Sequence, residues 1–328
     1  MTATIALVAG DPAGVGPELV AKLLGGPDKL PARIRLIAHR ASLDAAAKLA
    51  DVTLDLPALQ TGDAARSTLP VARMEWDGWT AVPFEQGKAG AANGAFMLDS
   101  LRFALDLARR GVVDAVCFAP LNKAALRAGG MTQEDELRWF AEVLDHHGPC
   151  GEFNVLENLW TSRVTSHIPL KDVAGLLTAE GVAEAIGMLH DALRRAGNAS
   201  PRRGVCGLNP HNGDNGNFGR EEIDIIAPGV ELAAQRGYSA AGPYPADTIF
   251  VRARDGAFDG IVTMYHDQGQ IAMKLMGFER GVTVQGGLPV AITTPAHGTA
   301  YDIAGRGIAN VQAMKNALAI AARMGASH

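Results

Sequence analysis

Short apolar runs alternate with amphipathic stretches along most of this chain, and that alternation constrains the fold more than any single motif does. The runs Ile5–Ala9, Ile34–Ala38, Val112–Ala119, Val205–Leu208, Gly260–Met264 and Val282–Val284 predict buried strands. Pro17–Leu24 and Phe96–Arg110 carry apolar residues at helical spacing, and Gly111 closes the second of them. Thr178 predicts an N-cap for a helix whose face presents Val182, Ile186, Leu189 and Leu193 before Gly197 stops it. Asn310–Met324 predicts a last helix. Strands that alternate with helices define an α/β fold with a largely parallel sheet. Aromatic residues make up only 5 % of the chain, which suits helices packed closely on a sheet better than a β-sandwich. The 328 residues are enough for two ordinary domains or one large α/β unit. Asp51–Thr68 and Ala196–Arg203 are the most linker-like stretches, and no internal repeat is visible.

Composition then narrows the function. An apolar content of 48 % excludes wholesale disorder. A net charge of -5 argues against a general partnership with nucleic acid. No run approaches the roughly 18 apolar residues of a membrane-crossing helix. The apolar stretch at Ile5 lacks the basic flank of a signal peptide, so the expectation is a soluble, cytoplasmic protein with no membrane partner. The 3 cysteines, Cys117, Cys150 and Cys206, are too scattered for a disulfide framework or a CxxC knuckle. Any metal site therefore falls to carboxylates and to the 9 histidines.

Three groups of residues carry chemistry. GDPAGVGPE, Gly10–Glu18, lies between a predicted strand and a predicted helix, where Gly10, Gly14 and Gly16 allow a sharp turn and a close ligand. It is neither GxGxxG nor a P-loop, and it serves equally well as a plain strand-to-helix turn. His167 in TSHIPL, His211 in GLNPHNGDNGNFG and His266 in MYHDQG each sit in a polar or turn-rich setting suited to a strand end. Three neutral imidazoles make a reasonable site for Zn²⁺ or a similar ion, although HExxH spacing is absent and any one of the rings, taken alone, is more often a hydrogen-bonded loop histidine. In AHGTAYDIAGRGIAN, Ala296–Asn310, Asp302 suits a ribose diol, or else a turn cap. Asp247 and Asp267 are candidates to orient a metal-bound His, with Asx turns as the alternative.

In order along nearly the whole chain, GDPAGVGPE, APLNKAAL, SHIPLKDV, GLNPHNG, GPYPADT, MYHDQG, GLP at Gly287–Pro289 and HGTAYDIAG resemble the motifs of the 4-hydroxythreonine-4-phosphate dehydrogenase (PdxA) family. The first and last are also similar to those of the isocitrate and isopropylmalate dehydrogenases, whose corresponding turn binds the adenosine end of NAD. The resemblance implies two α/β/α domains with an active-site cleft between them, isocitrate/isopropylmalate dehydrogenase-like. The first domain would comprise residues 1–126 plus 290–328 and hold the cofactor turn; the second, 127–289, would hold the metal and dimer-interface elements. It implies a homodimer with the site at the interface, NAD as cofactor, and a divalent metal (Zn, Co, Mg or Mn) on His167, His211 and His266. Gly14, His297, Gly298, Thr299 and Asp302 fall on the cofactor side, and Lys274, Asp247 and Asp267 on the catalytic side. His39, His146, His147, His190 and His328 stay structural.

The family's substrate positions are kept less fully. Lys274 is retained, but the family's His-Thr pair is missing from Met131-Thr132-Gln133-Glu134-Asp135-Glu136. Thr283 stands where Asn is usual, and Ile292 where Arg is usual. Losing an Arg removes a bidentate partner for phosphate, so the expected substrate is a hydroxy acid without phosphate. The expectation is an NAD- and metal-dependent dehydrogenase that oxidises a secondary hydroxyl with decarboxylation, on a cis-diol carboxylate such as terephthalate cis-dihydrodiol. The alternative is a 4-phosphooxy-threonine dehydrogenase of pyridoxal phosphate synthesis, or a 4-phospho-erythronate/threonate dehydrogenase. A metal-dependent lyase using the same histidines without NAD is the remaining enzyme class.

Overall fold

The computed structural model describes residues 2–80 and 84–327, so His328 lies outside the described residues. The strands, in chain order, are β1 (Thr4–Val8), β2 (Arg33–Ile37), β3 (Ala58–Leu59), β4 (Val71–Met74), β5 (Ala115–Phe118), β6 (Gly151–Leu156), β7 (Leu159–Arg163), β8 (Arg203–Cys206), β9 (Ala241–Tyr244), β10 (Gly260–Thr263), β11 (Val282–Gly286) and β12 (Ala291–Pro295). They fall into two compact units, Met1–His147 with Leu288–His328, and Gly148–Gly287.

The first unit is parallel throughout, in the order β3-β4-β2-β1-β5-β12. Every residue of β1, β5 and β12 is buried, as expected of strands covered on both faces by helices. The helices include Gly16–Gly25, with a proline in its first turn, and Ala91–Arg109, which ends before the left-handed Gly111. The stretch Asp51–Thr68, linker-like in sequence, holds β3 and the short helix Thr61–Ala64. Its anchor is Arg35 of β2, fully buried. That guanidinium donates to the carbonyl oxygens of Ser67 at 2.7 Å, Leu69 at 3.1 Å and Ala64 at 3.3 Å, so a buried charge pins the loop through its backbone.

The second unit runs β11-β6-β7-β10-β8-β9. β6 pairs antiparallel with both β7 and β11, and β10 pairs parallel with β7 and β8. The helix Ala179–Arg195 starts where Thr178 accepts the Gly181 N–H at 3.0 Å, and it buries Val182, Ile186, Leu189 and Leu193. The first boundary between the units falls at 147/148 rather than at 126/127. The cause is the helix Glu136–Val143: its fully buried Phe140 packs on Phe118 of β5, ring centroids 5.7 Å apart. Among the described residues no helix is long and apolar enough to cross a membrane.

Candidate active site

The three histidines singled out in the sequence leave the carboxyl ends of three neighbouring strands of the second unit. His167 follows β7, His266 follows β10, and His211 follows β8, with β10 in the middle. Parallel α/β sheets place their ligands at this edge. Pairing continues past the ends of β7 and β10. The N–H groups of Val164 and Thr165 donate to the carbonyls of Thr263 and Met264 at 2.9 and 3.1 Å, and Thr165 Oγ1 reaches Met264 O at 2.7 Å. Those bonds bring the two loops together, and the rings of His167 and His266 stand 5.6 Å apart between centroids.

His211 is held differently. It opens a left-handed run, His211, Asn212, Gly213, Asp214 and Asn215, with φ between 44° and 78°. Asn and Asp tolerate that conformation, whereas for His it costs roughly 1–2 kcal/mol. The buried carboxylate of Glu222 holds the loop's entry. Its Oε1 accepts the N–H groups of Leu208 and Asn209 at 2.7 Å each, and its Oε2 accepts Asn209 Nδ2 at 3.0 Å. Burial opposes ionisation of Glu222, but these hydrogen bonds outweigh it and hold the carboxyl below its ordinary range. The exposed His211 ring lies beside Phe218, 6.2 Å between centroids. Among the described residues no group of three His, Cys, Asp or Glu side chains is placed to hold a metal ion. The fold thus brings the three histidines to one sheet edge and pairs two of them, without closing a three-ligand site inside one chain.

Of the two carboxylates expected to orient a histidine, Asp267 does so. Its Oδ1 lies 2.7 Å from His266 Nδ1, so the ring donates there and presents Nε2 outward. Asp247 is exposed in the first turn of the helix Ala246–Arg254, and Lys274 is exposed on the helix His266–Gly277. An Asp267→Asn variant is expected to bind divalent metal about 10–100-fold more weakly at unchanged thermal stability, in titration against a chelating dye. Equal affinity in the two proteins would remove Asp267 from the site.

The expected cofactor residues lie in the first unit. Val15 N–H donates to Thr299 O at 3.0 Å, so the first and last motifs touch. A Cβ at Gly14 would stand 2.9 Å from that of Thr299, and one at Gly10, whose φ is +71°, 2.4 Å from Ala119 O. Glycine is thus required at both positions by chain meeting chain. Beyond the contact Thr299 is buried, Asp302 and Gly298 are exposed, and His297 Nδ1 lies 3.0 Å from Gly298 O. A cavity of about 380 Å³ opens beside the turn, with Gly14, Glu18, His39, Ser42, Phe84 and Gly305 among its walls. Its size lies in the range of small-molecule sites.

The positions that suggested a changed substrate have other employment. Asp135 caps the helix Glu136–Val143, accepting Arg138 N–H at 2.9 Å, while Glu136 pairs with Lys123 at 3.8 Å. Gln133 donates to Glu142. Ile292 is fully buried in β12, opposite Val116 of β5. These acidic groups and this apolar side chain are taken up by local structure, so they give no reason to exclude a phosphorylated substrate.

Comparison with known proteins agrees. Over 327 residues the chain is 55 % identical to "Putative 4-hydroxythreonine-4-phosphate dehydrogenase 2" of Pseudomonas aeruginosa, covering 98 % of this chain and 96 % of that protein. It is 37 % identical to "Putative D-threonate 4-phosphate dehydrogenase" of Bradyrhizobium diazoefficiens, covering 98 % and 96 %. The crystal structure of 4-hydroxythreonine-4-phosphate dehydrogenase from Klebsiella pneumoniae matches with a TM-score of 0.84 and 32 % identity, over 99 % of this chain and 98 % of that one. These likenesses define the class, an α/β oxidoreductase of the dehydrogenase kind. The chain belongs to the family described as pyridoxal phosphate biosynthetic protein PdxA, whose model matches residues 31–321. A terephthalate 1,2-cis-dihydrodiol dehydrogenase from Burkholderia xenovorans LB400 is more distant, at TM-score 0.67 and 28 % identity over 95 % and 94 % of the two chains. The expectation of a terephthalate-type substrate is therefore corrected in favour of the phosphorylated alternative.

Proposed function

We propose that the protein is an NAD- and divalent-metal-dependent dehydrogenase that oxidises a secondary hydroxyl of a phosphorylated four-carbon hydroxy acid. The substrate is of the 4-phosphooxy-threonine or 4-phospho-threonate type, with decarboxylation of the keto acid formed. The observation that carries this reading is the end-to-end likeness to relatives bearing those names. A bound divalent ion would supply Lewis acidity to a substrate hydroxyl and its neighbouring oxygen, and a bound nicotinamide would serve as the hydride acceptor. His167, His211 and His266 supply the neutral imidazoles for the ion, with the tautomer of His266 fixed by Asp267. Lys274, a cation on the helix of His266, faces solvent and suits an anionic group of the substrate. Asp302, exposed beside Gly298 and Thr299, accepts from a ribose diol and repels a 2′-phosphate, which favours NAD over NADP.

The third metal ligand is proposed to come together with the other two in a homodimer. Large exposed apolar side chains flank each histidine: Leu170 and Leu176 after His167, Phe218 and Ile223 after His211, and Ile271 and Leu275 after His266. Exposed apolar side chains near all three loops support a surface covered by a second copy.

The test is a screen of NAD reduction with added metal ions. It compares 4-phosphooxy-threonine, 4-phospho-threonate, 4-phospho-erythronate and a cis-dihydrodiol carboxylate, and follows reduced-nicotinamide absorbance and CO₂ release together. Turnover confined to the cis-dihydrodiol would overturn the substrate. Substrate cleavage without NAD reduction would turn the reading toward the lyase.

A further inference from the structure

Two carboxylates of the first glycine-rich motif are buried, and the histidine site uses neither of them. Asp11 is fully buried. Its Oδ1 accepts Ala13 N–H at 2.9 Å and Asn93 Nδ2 at 3.2 Å, and its Oδ2 accepts the Tyr301 hydroxyl. Glu18 is 3 % exposed, and its Oε1 accepts Ala309 N–H and Lys22 Nζ at 2.8 Å each. Lys22 Nζ continues to the carbonyls of Gly307 and Ala309 at 2.9 Å. Tyr301 and Ala309 bracket the turn that carries Asp302 and Gly305. Between these brackets Asp302, Gly305, Arg306 and Ile308 are exposed, and Gly305 and Gly307 sit at φ of +77° and +72°. Gly305 lies against Gln86 and Gly307 against Leu49, while the side-chain hydrogen bonds that hold the turn sit toward its two ends. At the end nearer Asp302 the side-chain anchor is the Tyr301 hydroxyl on the Asp11 carboxylate, with the Asn93 amide hydrogen-bonded to both. Burial, and then the neighbouring Asp11, pushes the Tyr301 hydroxyl above its ordinary range, so it remains a donor at neutral pH.

We propose that Asp11 and Tyr301 are a positioning pair for the dinucleotide: their hydrogen bond fixes the turn so that Asp302, the next residue, meets the ribose. This rests on the cofactor assignment made above. Loss of the bond leaves the chemistry untouched and loosens the cofactor, and it blunts the choice between NAD and NADP, because the carboxylate that makes that choice is no longer held.

The decisive variant is Tyr301→Phe, which keeps the ring and removes only the hydroxyl. Its dissociation constant for reduced NAD, read by nicotinamide fluorescence, is expected to rise about tenfold, a typical effect of losing one hydrogen bond to a charged group. Turnover at saturating NAD should stay within about twofold, and the ratio of NAD to NADP affinities should shrink. Asp11→Asn and the double variant complete a cycle, in which the double is expected to bind no more weakly than the singles. An unchanged dissociation constant in Tyr301→Phe overturns the proposal, as do additive losses in the cycle. Should Asp11→Asn misfold, Tyr301→Phe alone decides the matter. A wild-type protein that binds no reduced NAD overturns the cofactor assignment and this inference with it, whereas binding by the wild type equal to that of Tyr301→Phe overturns only the inference.

Discussion

A His211→Ala variant is expected to purify without bound divalent metal and to lose on the order of 10³-fold or more of its NAD-reducing turnover, while folding normally. The size follows from the several kcal/mol of charge stabilisation that a metal contributes to such a step. Normal folding follows from where the residue sits. Its ring is exposed, and the loop is held at its entry by Glu222 on Leu208 and Asn209 rather than by the imidazole. Metal analysis of the purified protein, circular dichroism and the coupled absorbance assay check the three statements. A metal-free His211→Ala enzyme with full activity would remove His211 from the chemistry and the metal from the reaction.

The second large effect is expected at Leu275. This side chain is 83 % exposed on the helix that begins at His266, and Ile271, one turn earlier, is 61 % exposed. Leu275→Asp places a charge on that face of each copy, so a symmetric contact suffers the change twice. Losing the burial of one leucine costs about 1.5–3 kcal/mol, which, taken twice, weakens association by about 10²-fold or more. In light scattering the variant should run as a monomer, and it should lose metal and turnover along with its partner. Leu69→Asp, on an exposed loop of the first unit, serves as the control and should leave the assembly intact. A Leu275→Asp protein that stays dimeric and metal-loaded shows that this face is not the one that assembles the site.

Much of the α/β order is visible in the residues alone, because buried parallel strands and capped amphipathic helices leave strong local patterns. The Thr178 cap, the apolar face through Leu193 and the strand at Gly260 all stand where spacing puts them. What escaped was the part written in polar residues. The hairpin of β6 and β7 turns through Glu157 and Asn158, with Glu157 at φ 55°, which is no familiar hairpin signal, and its strands alternate Glu152 and Asn154 with apolar neighbours. The anchoring of the stretch Asp51–Thr68 depends on a single buried Arg35 some distance earlier in the chain, which no local window reveals.

The candidate site divides in the same way. His167, His211 and His266 are found by their settings at strand ends, and Asp267 by standing next to its histidine. Glu222, Asp11 and Tyr301 carry no such mark. Each acts through hydrogen bonds to residues remote in sequence, and a buried carboxylate reads in one dimension like any solvated one. Ile292 misled for the converse reason. A motif comparison treats the position as a pocket residue, and only its complete burial within β12 shows that its side chain belongs to the core.

The first unit is assembled from two separated lengths of chain, and this bears on synthesis. Gly148–Gly287 is a single uninterrupted segment, complete as soon as its last residue emerges. The sheet of the first unit must wait for β12 at Ala291–Pro295, and its cofactor turn waits longer still. A nascent chain whose Gly287 has just emerged from the ribosome would therefore hold one finished unit and, upstream of it, an open edge at β5 whose neighbour has not yet emerged.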